Sequence, residues 1–142
     1  MVIGYTSGVF DLFHIGHLNL LFKARGLCDR LIVGVSTDEL CFSAKMKNPV
    51  IPFDERKQIV GALKFVDCVV PQDSYDKADQ HDRYKFDIMF VGDDWYQDPK
   101  WQNYERDFEQ KNVRVIYFPY YKGTSSTIIN NVLNNIKSNE KI

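Results

Sequence analysis

The chain has 142 residues, which suits one domain with a respectable core. Hydrophobic residues make up 44% and charged residues 26%, a soluble globular balance, and the formal net charge of −1 argues against a nucleic-acid stripe or a polybasic membrane anchor. Three cysteines, Cys28, Cys41 and Cys68, without CxxC spacing, argue for free thiols in a reducing compartment and against a disulfide framework or a zinc site.

Taken in chain order, short apolar runs alternate with helical patterns. Residues 2–6 read as a first strand, because Met1 to Tyr5 has neither the basic flank nor the long apolar core of a secretory leader. Leu18, Leu21 and Phe22 give residues 14–26 a helical face, with Gly26 as the stop. Residues 30–35 are a continuous apolar run of strand length. Asp54 is the expected cap of a helix over residues 55–63, with Ile59, Val60 and Leu63 on one face. A third strand is expected over residues 65–70, stopped by Pro71, then a weak helix within residues 73–85 and a fourth strand over 87–92. Asp98 and Pro99 form an N-cap and N1 pair for a helix reaching about residue 111. A fifth strand over 113–118 and a last helix over 127–136, capped by Ser125 or Ser126, complete the pattern. The expected fold is α/β, a single Rossmann-like domain over residues 1–136 with about five parallel strands flanked by helices, then a frayed tail over 137–142. No stretch approaches the roughly 18 apolar residues of a bilayer span, so a cytoplasmic protein without membrane contact is expected.

Ligands of such folds bind at the carboxyl ends of the strands. After the first strand comes Ser7-Gly8-Val9-Phe10-Asp11-Leu12-Phe13-His14-Ile15-Gly16-His17. A helix N-terminus there offers free N–H groups and partial positive charge to phosphate. His14 and His17, three apart, share one face of the first turn, and Gly16 lets a flat ring or a phosphate approach the backbone. By residues alone the pair also fits half of a metal site or two unengaged histidines. Two of only three histidines falling at the phosphate position favour a polyphosphate site.

This stretch resembles the GxFDxxHxGH signature of the cytidylyltransferases, which belong with the adenylyltransferases and the class I aminoacyl-tRNA synthetases to the HIGH-motif nucleotidylyltransferases. The resemblance covers about residues 2–135, with the motifs in family order. It implies a CTP-dependent enzyme in which a phosphorylated alcohol attacks the α-phosphorus directly and pyrophosphate leaves in line. Mg²⁺ is expected to travel with CTP, with no metal ligand from the protein. His14, His17 and Lys45 are the implied catalytic residues, the histidines contacting the triphosphate. Gly8, Val9, Phe10, Asp11, Gly16, Gly92, Asp94, Ser125, Ser126 and Thr127 are the implied nucleotide-binding residues, with Asp11 organising its turn.

Candidates for the acceptor phosphate are Lys45 and Lys47 on the loop after an STDE segment (Ser36 to Glu39), Arg56, Trp95 and Lys122. Arg56 fits a ligand role and a structural role bonding back to strand ends equally. Lys64 to Asp67 resembles an (R/K)-x-V-D element that links the site to a dimer interface. The Gly92-Asp93-Asp94-Trp95 run is similar to the glycerol-3-phosphate cytidylyltransferases of bacterial wall-polymer synthesis, with carboxylates for ribose or base and Trp95 as a wall. Gly123 to Thr127 resembles the stretch that grips the β- and γ-phosphates. Tyr120 stands where the family has an Arg, and Lys122 could supply the charge without the fork. The expected partners are CTP and a phosphorylated small alcohol, with no nucleic acid, in a homodimer for which Tyr75 or Tyr84 could supply the patch. An adenylyltransferase of the same fold and a catalytically weak nucleotide-binding protein remain alternatives.

Overall fold

The computed structural model describes residues 1–92, 96–119 and 126–140, with the side chains of 126, 127 and 138–140 outside that description. The elements run β1 (Ile3–Gly8), α1 (Ile15–Arg25), β2 (Arg30–Ser36), α2 (Asp38–Lys45), α3 (Phe53–Gly61), β3 (Cys68–Gln72), α4 (Lys77–Tyr84), β4 (Ile88–Gly92), α5 (Pro99–Gln110), β5 (Arg114–Phe118) and α6 (Ser126–Glu140). The sheet is all parallel, in the order β3-β2-β1-β4-β5. The chain builds outward from β1 to β3, then crosses back to lay β4 on the other side of β1. Strand order therefore reverses between β1 and β4, and a crevice opens there at the carboxyl ends.

Side-chain alternation sorts the core into two layers. Leu31, Val33 and Val35 of β2 join Ile88 and Phe90 of β4 on one face, covered by Leu21 and Ala24 of α1 and Val60 of α3. Ile32, Met89 and Val91 point the other way, toward Trp101 and Phe108 of α5. Tyr5 is fully buried in this second layer and stacks on Phe86 at 4.9 Å. Its hydroxyl lies against Gly34, where any Cβ would collide with it.

The structure departs from the sequence expectations at four places. Residues 38–45, read as loop, form α2, capped by Thr37 Oγ1 accepting from Leu40 N–H at 3.2 Å. Helix α3 starts earlier than expected, with Pro52 rather than Asp54 at the N-cap. Strand β3 lies three residues downstream of its expected start and runs through Pro71. A proline is tolerated there because β3 is an edge strand. Helix α6 also continues to Glu140, past the end expected at residue 136 and through part of the stretch read as a tail. No helix among the described residues is long and apolar enough to cross a membrane.

Candidate active site

The turn after β1 puts the histidines to two uses. His14 is the N-cap of α1, in extended conformation, and its Nδ1 accepts from Gly16 N–H at 3.0 Å. His17, at the third helical position, returns the contact, its Nδ1 accepting from His14 N–H at 3.2 Å. The pair is a capping box built from imidazoles. Both Nδ1 atoms must therefore be unprotonated, which puts the ring proton on Nε2 of each. A metal on either Nε2 would need that proton removed, so the half-metal-site alternative is disfavoured by these two bonds.

The rings sit 3.9 Å apart, with Phe10 edge-on to His17 at 5.4 Å. Burial, then the neighbouring His14, lowers the His17 pKa to about 4, and burial lowers that of His14. At neutral pH both are uncharged N–H donors. Such donors suit an anion whose charge moves between oxygens, because they need no reorganisation as it moves.

The turn itself is strained. Phe10 and Leu12 have φ of 55° and 49°, a left-handed conformation that costs a residue with a side chain about 1–2 kcal/mol. Two polar residues hold it. Asp11 accepts from Val50 N–H at 2.8 Å and Ile51 N–H at 2.9 Å, pinning the segment that follows the lysines. Arg56 is almost wholly buried, and its guanidinium donates to the carbonyls of Val9 (2.7 Å), Ser36 (2.7 Å) and Ile51 (2.8 Å) and to Asp38 Oδ1 (2.6 Å). It ties the ends of β1 and β2 to the start of α2. Of the two roles the sequence left open for Arg56, the structure assigns the structural one; it is not on offer to an acceptor phosphate.

A cavity of about 300 Å³ gathers Val9, Phe10, Asp11 and His17 with Lys45, Lys47, Asn48, Pro49, Cys41, Tyr75 and Asn130. Lys45, expected on a loop, ends α2 and Lys47 lies two residues beyond; both are exposed and line this cavity. A larger hollow of about 400 Å³, between α3 and the β3 edge, contains none of the turn residues. The site is assigned to the smaller cavity because it holds the histidine turn and the lysines together.

Gly8 and Gly92 end β1 and β4 on the two sides of the crevice, and Gly16 lies inside the first turn of α1. Asp93, Asp94, Trp95, Tyr120, Lys122 and Ser125 lie outside the described residues. Ser126 begins α6 and Thr127 follows it, but their side chains are outside the description. Asp67 is placed away from the crevice: it accepts from Leu31 N–H at 2.8 Å and pairs with Arg25 at 3.0 Å, at the amino ends of the strands. Tyr84 is half-buried and stacks against Tyr5, and Tyr75 lines the cavity while remaining exposed.

The sequence reading missed Lys77. It opens α4, yet its ammonium is buried and donates to Ser7 Oγ at 2.8 Å and Gln72 Oε1 at 2.8 Å. Desolvation, helped by Lys100, brings its pKa down to about 8. A polar eight-residue helix gives no periodicity that would flag such a residue, and its partner on β1 is 70 positions away.

A reversed parallel sheet, a histidine-capped helix at the switch point and cations around one cavity define an α/β protein built to hold phosphates of a nucleotide. The chain belongs to the cytidylyltransferase-like family, whose model matches residues 5–139. It is 37% identical to the glycerol-3-phosphate cytidylyltransferase of Bacillus spizizenii, over 87% of this chain and 91% of that one. It is 34% identical to the enzyme of the same name from Staphylococcus aureus, over 87% and 89%. A lipopolysaccharide core biosynthesis protein from Thermoplasma volcanium shares the fold, with a TM-score of 0.70 at 24% identity over 87% of this chain and 99% of that one.

Proposed function

We propose that the chain transfers a cytidylyl group from CTP to a phosphorylated alcohol, glycerol 3-phosphate being the first candidate, and releases pyrophosphate. The observation that carries this is the locked histidine pair: two Nε2–H donors fixed at the crevice by their own capping bonds. The relatives' names, at 34–37% identity over most of the chain, support the nucleotide and the acceptor.

The acceptor phosphate attacks the α-phosphorus while His14 and His17 donate to the triphosphate oxygens, where charge grows as pyrophosphate leaves. Lys45 and Lys47 draw the two polyanions together at the cavity mouth, and Lys77 presents a third cation at the end of β1. Positioning and charge stabilisation carry the rate, with no covalent intermediate. Mg²⁺ bound through the triphosphate would neutralise pyrophosphate charge. Among the described residues no three His, Cys, Asp or Glu side chains gather to hold it, and both Asp11 oxygens accept from backbone N–H groups.

We further assign the protein to the cytoplasm, where CTP is made, to wall-polymer or capsule precursor synthesis, and to a homodimer. Pyrophosphate release with Mg²⁺, CTP or ATP and a panel of phosphorylated alcohols tests the reading. Release with CTP and glycerol 3-phosphate is expected. Release with ATP alone would move the protein to the adenylyltransferases, and no release with any pair would overturn the assignment.

A further inference from the structure

Lys77 sits in a cage of neutral acceptors. Its ammonium donates to a hydroxyl, Ser7 Oγ, and to an amide oxygen, Gln72 Oε1. The carboxylates nearest in sequence are engaged elsewhere. Asp73 and Asp79 pair with Arg83 at 3.5 and 3.1 Å, and Asp76 caps α4 through the N–H groups of Ala78 and Asp79.

The Gln72 amide can take only one orientation. Its Nε2 donates to Ser36 Oγ at 2.8 Å, while its Oε1 accepts from Gln80 Nε2 at 3.1 Å as well as from Lys77. Flipped, it would set an NH₂ group against an ammonium and a second NH₂. Gln80 is held in turn by its bond to Ser74 O at 2.7 Å, and the Gln72 backbone by Thr37 N–H at 3.0 Å. Ser36, Gln72, Lys77 and Gln80 are buried at the carboxyl ends of β1, β2 and β3, and the cavity is lined by Tyr75, two residues before Lys77, and by Val9, two residues after Ser7.

A carboxylate of the same shape at position 72 would bond the ammonium more strongly. It would also cancel its charge and add a negative field beside an incoming phosphate. The amide does the opposite: it fixes the ammonium in place and leaves its charge uncompensated, at the cost of burying a cation.

We propose that Gln72 is a positioning residue for the reaction: its uncharged amide holds Lys77 at the end of β1 and keeps the ammonium's charge for the acceptor's phosphate. This rests on the reading of the cavity as the site of cytidylyl transfer, and it names how that site is made attractive to its second substrate. Gln80 and Ser36 act one step further out, by fixing the amide.

The test is Gln72→Glu, with Gln72→Met as the variant that removes the amide without adding charge. Lysine carrying ¹³C at Cε gives a Lys77 resonance whose pH titration reads its charge directly, and glycerol 3-phosphate and inorganic phosphate are the probes. In the wild type the resonance titrates near pH 8 and moves on adding glycerol 3-phosphate. In Gln72→Glu the midpoint rises by about one pH unit or more, and the Kd for glycerol 3-phosphate weakens about tenfold. In turnover the acceptor KM rises about tenfold, while kcat and the KM for CTP change less than about threefold. Gln72→Met weakens the acceptor Kd by about threefold without raising the midpoint. An unchanged midpoint and Kd in Gln72→Glu overturns the proposal. So does identical behaviour of the two variants, which would mean that packing and not charge is at work. Wild-type protein that shows the binding and titration changes but no turnover would sink the functional reading and leave Gln72 as a residue that governs phosphate binding alone.

Discussion

At the amino end of the sheet three exposed aspartates close the strands. Asp29 accepts from Val2 N–H at 2.7 Å, Asp87 from Ile3 N–H at 2.9 Å and Asp67 from Leu31 N–H at 2.8 Å. At the carboxyl end two buried cations do the corresponding work, Arg56 on the carbonyls of Val9 and Ser36, and Lys77 on the side chains of Ser7 and Gln72. Strand starts present N–H groups and ask for acceptors; strand ends present carbonyls and ask for donors. The amino end meets its need with carboxylates that keep their hydration. The carboxyl end meets it with cations taken out of water, which is costly and leaves that edge electropositive. At the carboxyl edge one buried cation, Arg56, satisfies the backbone while a second, Lys77, is held by side chains alone; at the amino edge the carboxylates serve the backbone.

Breaking the hub of the carboxyl edge has the largest expected effect. Arg56→Leu strands three carbonyls and Asp38, and should lower stability by about 3–5 kcal/mol in urea unfolding. A loss below about 1 kcal/mol would show that the strand ends do not depend on it. The histidines separate chemistry from support at the same edge. His14→Ser keeps an N-cap and His17→Ala removes a ring, and each should lower kcat by about a hundredfold while stability moves by about 1 kcal/mol. Near wild-type turnover in both would sink the role given to the pair.

A pH titration of stability sharpens the contrast further. The folded pKa of His17 lies below the unfolded value, so the unfolded chain takes up the proton first as the pH falls. Stability is complete above about pH 6.5, should fall by about 3 kcal/mol down to about pH 4, and then show no further loss from this group. Replacing His17 with Asn should flatten that part of the curve. The smallest effect belongs to the amino end: Asp67→Asn should cost about 1 kcal/mol and leave kcat/KM unchanged. A tenfold loss of activity there would mean the two edges are coupled.

The strand pattern and the histidine turn were legible in the sequence because both are local. Strands need only a few apolar residues in a row, and a capped helix start is written in adjacent positions. Helix α2 escaped because eight mostly exposed residues with only Cys41 buried carry little periodicity. The third strand was misplaced because Pro71 is a stop signal only for a strand with neighbours on both sides. Arg56 had two readings until its partners, from 5 to 47 positions away, were brought around it. Lys77 looked like any surface lysine, since what makes it unusual is a strand on the far side of the domain sequence.

Pro71 has a consequence beyond its own strand. Gln72 O accepts from Thr37 N–H on the β2 side, so alternation along the strand turns the nitrogen of Pro71 outward. The outer margin of β3 therefore lacks one donor near the end of its short run. A strand from another molecule laid along that margin would leave a carbonyl unanswered, and the ladder could not propagate cleanly. During synthesis, when the β1–β3 half of the sheet exists before β4 and β5 have emerged, this missing hydrogen guards one of the two open margins against pairing with a stranger.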